Sequence, residues 1–383
     1  MNLFEAVRQH YPATSNQVYL DTSTTGLFSV SGYQTMKDVL DNRLLSGVSI
    51  DGYWSSWQAA DEWRSVFAGM IGAAADEVFY GKDSSDMLNT FINGIEIPAG
   101  KSVIVPDISF PSTRNAWLNQ EKSGVTVRYM KNQDGVVTTD QILDSMDENT
   151  FAVSICSVEP SSGYHYDIRR LGEACREKGI YLVVDATQSL GAMDLDVEEM
   201  KIDVMVASTY KWLTNVFGFG VGYMRKTVAD KIQPCHVGWT GVRDRMKDFN
   251  NLSLVLHEGA QKFETGGLNW LGLNGVKASV ATYLALGKKE VEDHILSLVA
   301  LLYREMGKLV QVTIDPWLPE TNRSGIVYLK VSEGYDWNQE FFETRKIRLN
   351  LSGDRLRIGI HFYNNEEDIL KFVSALQELP VKA

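Results

Sequence analysis

A lysine directly after a buried strand is poorly placed for ordinary solvation, and Lys211 occupies such a position after the run DVMVAS and the polar residues Thr209 and Tyr210. Stripped of water, its amine would give up a proton more readily than a surface lysine and become a nucleophile toward an aldehyde. Earlier in the same stretch, Asp185 closes the apolar run YLVV, and Gln188 follows three residues on. An ionised carboxylate at a strand end would hold a proton on a heterocyclic nitrogen, and the resulting cation would withdraw electrons from a neighbouring carbanion. Gln188 would hydrogen-bond an oxygen on the same ring. Ser208 and Tyr210 flank the lysine, and Gly218, Gly220 and Gly222 allow close backbone approach around it.

The elements that must position these groups are visible in the apolar pattern. From Val18 onward, short strand-like runs (VYLD, EVFYG, SVIVPD, FAVSICSV, YLVVDATQ, DVMVAS, FGVGYM) alternate with amphipathic stretches such as 53–70, 85–95 and 167–178. That rhythm predicts βα units and a mostly parallel sheet covered on both faces, whose strand ends are where ligands collect. After Gly238 a Gly-rich stretch, FETGGLNWLGLNG, gives way to one long helical pattern over 276–310, then to the strands GIVYLKV, KIRLNL and RLRIGI and a helix over 366–379. The expected organisation is α/β: an N-terminal arm (1–17) packed on a small domain, a three-layer αβα large domain (18–245), and a smaller α+β C-terminal domain (246–383).

Bulk composition narrows the function classes. Hydrophobic residues make up 44% and charged residues 22% of 383, the balance of a globular protein. The net charge of -12 would repel nucleic acid or an anionic membrane, and no run approaches the ~20 apolar residues that span a bilayer. Residues 1–11 lack the apolar core of a signal peptide, so a cytoplasmic location is expected. Cys156, Cys175 and Cys235 are far apart and form no CxxC pair, which predicts neither a disulfide framework nor a metal site, only reduced, buried packing.

Together, strand, Asp-x-x-Gln, helical connection, strand, Ser-x-x-Lys and Gly-rich strand resemble the class V branch of fold-type I pyridoxal-phosphate enzymes. That branch includes cysteine desulfurases, selenocysteine lyases, kynureninase, phosphoserine aminotransferase and isopenicillin epimerase-like proteins. Further matches run along nearly the whole chain. VYLDTSTTG (18–26) resembles the family's opening strand and turn, and GKDSSDMLN (81–89) resembles its Gly-Thr-Thr-Glu-x-x-Asn phosphate loop, with Ser84 and Ser85 at the threonines. In PDISFPSTRNAW, Phe110 falls where the family stacks a ring on the cofactor. FETGGLNW resembles Phe-Glu-x-Gly-Thr-x-Asn, which in the family reaches the phosphate of the neighbouring subunit; Gly267 replaces the threonine, leaving Thr265 as the candidate. LRIGIHFYNNEEDI (356–369) puts Arg357 where the family binds the substrate carboxylate, a task suited to a guanidinium fork.

The resemblance thus implies pyridoxal 5′-phosphate bound as a Schiff base to Lys211, an amino-acid substrate, and a homodimer with the 263–275 segment near the interface. Taken singly, each residue has an ordinary reading: Asp185, Ser84 and Ser85 as helix caps, Phe110 as packing, Arg357 as a surface ion pair with Asp354 or Glu366. Glu159 and His165 lie near the end of FAVSICSV, where the family often supplies an asparagine to the ring oxygen, and no residue here is matched to that asparagine. A desulfurase needs a cysteine on the loop before the carboxylate-binding arginine, and ETRKIRLNLSGDRLRIG has none; Cys235 is expected to be buried rather than catalytic. Amino-group transfer is therefore the first expectation. A C–S lyase or an epimerase would use the same residues. A catalytically silent binding protein on this fold is the alternative of another class, and the intact Asp185, Gln188 and Lys211 argue against it.

Overall fold

The structure is a computed structural model that describes residues 3–243 and 252–382. The expected domain boundary at 245/246 lies outside the described residues.

Seven strands form the main sheet: β2 (Val78–Gly81), β3 (Ser102–Pro106), β4 (Thr126–Met130), β5 (Thr150–Cys156), β6 (Tyr181–Asp185), β7 (Val204–Ser208) and β8 (Gly220–Met224), with β1 (Val18–Tyr19) lying apart from them. Their spatial order is β2-β8-β7-β6-β5-β3-β4. All neighbours are parallel except β8, which runs antiparallel to both β7 and β2. The runs TFAVSIC and VMVAS are buried at every position, as strands covered by helices on both faces must be. Because β5, β6 and β7 are parallel, their carboxyl ends fall on one edge. Cys156 lies opposite Asp185 in register, and Ser208 ends the next strand. The helix Ile168–Lys178 that returns the chain from β5 to β6 is capped at its start by the Asp167 side chain.

A second sheet is antiparallel, in the order β12 (Asn350–Ser352), β13 (Arg355–Gly359), β10 (Ile326–Val331), β9 (Val312–Ile314). The stretch KIRLNL does not form one strand: its first half is β11 (Ile347–Arg348), which pairs in parallel with β1, and its second half is β12. VYLD therefore does not join the main sheet as its βα rhythm predicts; Val18 and Tyr19 pair with Ile347 and Arg348, and Asp21 bridges to Gly359. An isolated two-residue strand is marginal and takes whichever edge the fold brings alongside it. The long helical pattern over 276–310 is likewise two helices, Trp270–Leu286 and Lys288–Met306, broken where Gly287 takes a φ of 90° that an L-residue rarely adopts. At the N-terminus, Arg8 forks onto both carboxylate oxygens of Asp368 at 2.6 and 2.9 Å, and Phe4 stacks on His294.

Candidate active site

The turn after β7 presents Lys211 rigidly. Thr209 donates from its hydroxyl to the Phe219 carbonyl (2.7 Å), and the Asn215 amide donates to the Thr209 hydroxyl (2.9 Å). The opening segment closes over the same turn: Gly26 N–H donates to the Tyr210 carbonyl (2.9 Å), and a Cβ at Gly26 would come within 2.1 Å of the Lys211 carbonyl. Only glycine permits that approach. The Lys211 side chain is buried and makes no hydrogen bond or ion pair among the described residues. Its Nζ lies 5.5 Å from the centroid of the Phe110 ring and 5.7 Å from that of Tyr210. Burial lowers its pKa to about 8, with Asp185 pulling it up and Arg357 pushing it further down.

Asp185 lies with Lys211 in one cavity, lined also by Ser84, Phe110, Cys156, Pro160, Thr187, Gln188 and Tyr210. It does not cap a helix. Its Oδ1 accepts from the Thr187 amide (2.9 Å), and the Thr187 hydroxyl accepts from the Ser208 amide (3.0 Å), tying the ends of β6 and β7 together. Burial raises its pKa, opposed by the Thr187 hydrogen bonds and by the Lys211 charge. The Gln188 amide is already engaged: Nε2 donates to the Ser23 carbonyl (3.1 Å) and Oε1 accepts from the Trp212 indole (2.9 Å), leaving one amide hydrogen for any ring oxygen.

At the start of the helix Ser84–Gly94, Ser84 N–H donates to the Ser208 hydroxyl (3.0 Å), and the Ser85 hydroxyl pairs with that of Ser112 (2.5 Å). The cap is Asp83, whose carboxylate accepts from Asp86 N–H (2.9 Å), and neither serine fills that role. Ser85 N–H has no protein partner among the described residues, so an open donor remains at this N-terminus.

Arg357, on β13, reaches the same region from the second sheet. One guanidinium nitrogen donates to the Thr24 hydroxyl and lies 4.0 Å from Asp21 Oδ1, while Nε is buried without a partner. Neither Asp354 nor Glu366 pairs with it; the nearby Lys330 faces Asp354 instead. Thr265 is not brought to Lys211. It lines a separate cavity of about 460 Å³ with Lys82, Asp86, Cys235 and His236. Cys235 is exposed rather than buried, whereas Cys156 and Cys175 are buried. Glu159 is fully buried, accepting from Ser109 (2.6 Å) and Tyr166 (3.2 Å), and burial raises its pKa to about 8. His165 faces a different cavity, beside Thr139, Asp140 and Asn322.

Sequence reasoning missed Thr187, Cys156 and Pro160 in the cavity wall and Asp21 and Thr24 beside Arg357. Cys156 and Thr187 had a signal, since each adjoins or ends a parallel strand at the edge where ligands collect. Asp21 and Thr24 had none apart from the resemblance of their segment.

A family model described as aminotransferase class-V matches residues 18–372. A probable cysteine desulfurase of Methanothermobacter thermautotrophicus is 26% identical over 98% of each chain. An uncharacterized aminotransferase of Bacillus subtilis, YcbU, is 26% identical over 96% of each. The solved structure of a C-DES variant with glycine covalently linked to its PLP cofactor shares the fold, with a TM-score of 0.87 at 17% identity, covering 97% of this chain and 99% of that one.

Proposed function

This chain belongs to the class-V aminotransferase family and is a PLP-dependent enzyme, and from that premise we propose that it transfers amino groups between an amino acid and a 2-oxo acid. The observation that carries this reading is the Lys211 amine: buried, without a hydrogen bond, near neutrality at about pH 8, and in one cavity with Asp185.

The residues fit the cofactor. Asp185 suits a pyridine nitrogen, Phe110 offers a flat face over the cavity, Ser84, Ser85 and Ser208 with the open Ser85 N–H suit a phosphate, and the unpartnered Arg357 Nε awaits a carboxylate. When bound, PLP supplies an aldehyde for covalent attachment to Lys211 and an electron sink for the substrate Cα. Once the substrate amine has displaced it, the freed Lys211 Nζ would be the base that takes the Cα proton, which needs an amine whose pKa lies near the working pH. Asp185 keeps the ring nitrogen protonated, and Thr187 holds Asp185 in place. Arg357 orients the substrate by its α-carboxylate, with Thr24 fixing the guanidinium. Thr265, remote from its own Lys211, serves the partner's phosphate in a homodimer.

Transamination is favoured over persulfide chemistry by where the thiols are. Burial holds the Cys156 thiol pKa well above the ordinary range, Cys175 is buried away from the cavity, and Cys235 opens into the other one. A persulfide carrier needs a thiolate that can reach substrate. The test loads purified protein with PLP and adds L-amino acids with and without 2-oxo acids. Transamination bleaches the yellow band on adding the amino acid, and the 2-oxo acid restores it with formation of a new amino acid. Release of persulfide sulfur from cysteine or cystine without any 2-oxo acid, read as sulfide after an added thiol reductant, would instead establish a desulfurase or C–S lyase.

A further inference from the structure

The helix start that is to hold the cofactor phosphate already carries a carboxylate. Asp83, half-buried, caps the helix Ser84–Gly94 through its bond to Asp86 N–H, two residues before Ser85 with its open N–H and its hydroxyl. It is near enough to Tyr210 that, after burial and Asp185, its charge helps to raise the Tyr210 pKa. Asp86, the second acid of the first turn, lines the Thr265 cavity, and among the residues lining the Lys211 cavity the only cation is Lys211 itself. Lys82, the neighbouring cation, is exposed and lines the Thr265 cavity instead.

An acid at a helix N-terminus is favourable for the helix, since it satisfies a free N–H and complements the dipole. The same terminus attracts a phosphate for the same reasons, so cap and phosphate draw on one small set of donors. A phosphate dianion arriving at Ser84 and Ser85 meets a fixed negative charge, in a half-buried setting where Coulomb repulsion is only partly screened.

We propose that Asp83 weakens the chain's hold on the cofactor phosphate, so that the phosphorylated cofactor is retained chiefly by Lys211 and exchanges with solution whenever that bond is open. The proposal rests on the cofactor reading above. It assigns Asp83 a positioning and affinity role and no contact with the reacting atoms. The consequence is specific to the phosphate: unphosphorylated pyridoxal, which presents no charge at that end, is indifferent to Asp83.

The experiment compares the wild-type apoprotein with Asp83→Asn, which keeps an equally good cap without the charge, and with Asp83→Gly, only a slightly weaker cap. PLP and pyridoxal are titrated separately, following absorbance and quenching of tryptophan fluorescence, at low salt and at about 1 M salt. The expected result is PLP affinity about tenfold higher in both variants at low salt, a smaller gain at high salt, and unchanged pyridoxal affinity. Equal PLP affinity in the three proteins overturns the proposal, as does an equal gain for pyridoxal, which would mark a change in the pocket rather than in phosphate recognition. If neither cofactor binds wild type or variants, the cofactor reading fails and this inference falls with it.

Discussion

Two buried cations in this molecule sit near a carboxylate and end in opposite electrostatic states. Arg64 lies 2.6 Å from Glu264, donates also to the Val78 carbonyl and to Asp61, and packs its guanidinium over the Tyr80 ring. Burial works against its charge, but the Glu264 carboxylate more than offsets that, and its pKa is raised. For Lys211 the order is reversed: burial outweighs the pull of Asp185, and the pKa falls to about 8. The difference is contact. Glu264 is hydrogen-bonded to Arg64 and to Tyr80 N–H, so all three groups satisfy one another and clamp the glycine-rich loop to β2. Among the described residues Lys211 touches no acceptor. A buried charge that is fully paired holds structure, and one left unpaired is available for chemistry.

The largest effect that sharpens this contrast is at Lys211. Lys211→Ala removes both the attachment point and the proton carrier, so activity should fall by about 10³-fold or more. Borohydride should then fix PLP to the wild type and not to the variant. Folding stability, read from a denaturant midpoint, should not fall, because the change removes a buried amine with nothing bonded to it. A clear loss of stability with activity retained would reverse the roles assigned to the two cations.

At the other cation the loss should appear in stability. Glu264→Ala leaves the Arg64 guanidinium buried without its partner, which costs about 3–5 kcal/mol. The double variant Arg64→Met with Glu264→Ala should recover part of it, since the stranded charge is gone. A single variant destabilised by less than about 1 kcal/mol would mean that water reaches Arg64 and that the clamp does not close.

The pH dependence sharpens the contrast further. Attachment of PLP to the apoprotein requires the neutral Lys211 amine, so its rate should rise about tenfold per pH unit below about pH 8 and level off above it. Asp185 raises the Lys211 pKa and Arg357 lowers it. Asp185→Asn should therefore move the shoulder to lower pH, and Arg357→Gln should move it to higher pH. A shoulder that stays near the ordinary lysine value would show an amine exposed to water.

These contrasts also mark where the sequence is legible. Lys211, Asp185 and Ser208 are readable because each sits where a continuous apolar run stops, and parallel strands bring such stops to one edge. Arg64 and Glu264 are not readable as a pair: they lie 200 positions apart, and nothing local distinguishes a helix arginine destined for burial from one facing water. The main sheet is legible through its fully buried strands. The β1–β11 pairing is not, because a two-residue strand carries no period to read. The strand-end position of Gln188 suggests a ring contact, and its hydrogen bonds to Ser23 and Trp212, which depend on the fold, leave one amide hydrogen for it. Residue type alone predicts a buried Cys235, because cysteine usually is buried; its exposure depends on a loop whose path the residue type does not determine.

The smallest expected effect concerns that cysteine. Cys235 is the exposed thiol of the three, and it shares its cavity with Thr265 and Lys82 rather than with Lys211. In the native protein a maleimide should label Cys235 alone, and after denaturation all three cysteines should react. Cys235→Ser should change transamination by less than about twofold, since a surface substitution away from the reacting atoms is usually worth less than ~0.5 kcal/mol. Cys156 adjoins the site but is held neutral by burial, so Cys156→Ser tests packing of the cavity wall rather than nucleophilicity. Should Cys235→Ser instead abolish turnover while leaving PLP attachment intact, the exposed thiol would be the sulfur acceptor, and the aminotransferase reading would yield to a desulfurase whose cysteine lies on the glycine-rich-loop side of the molecule.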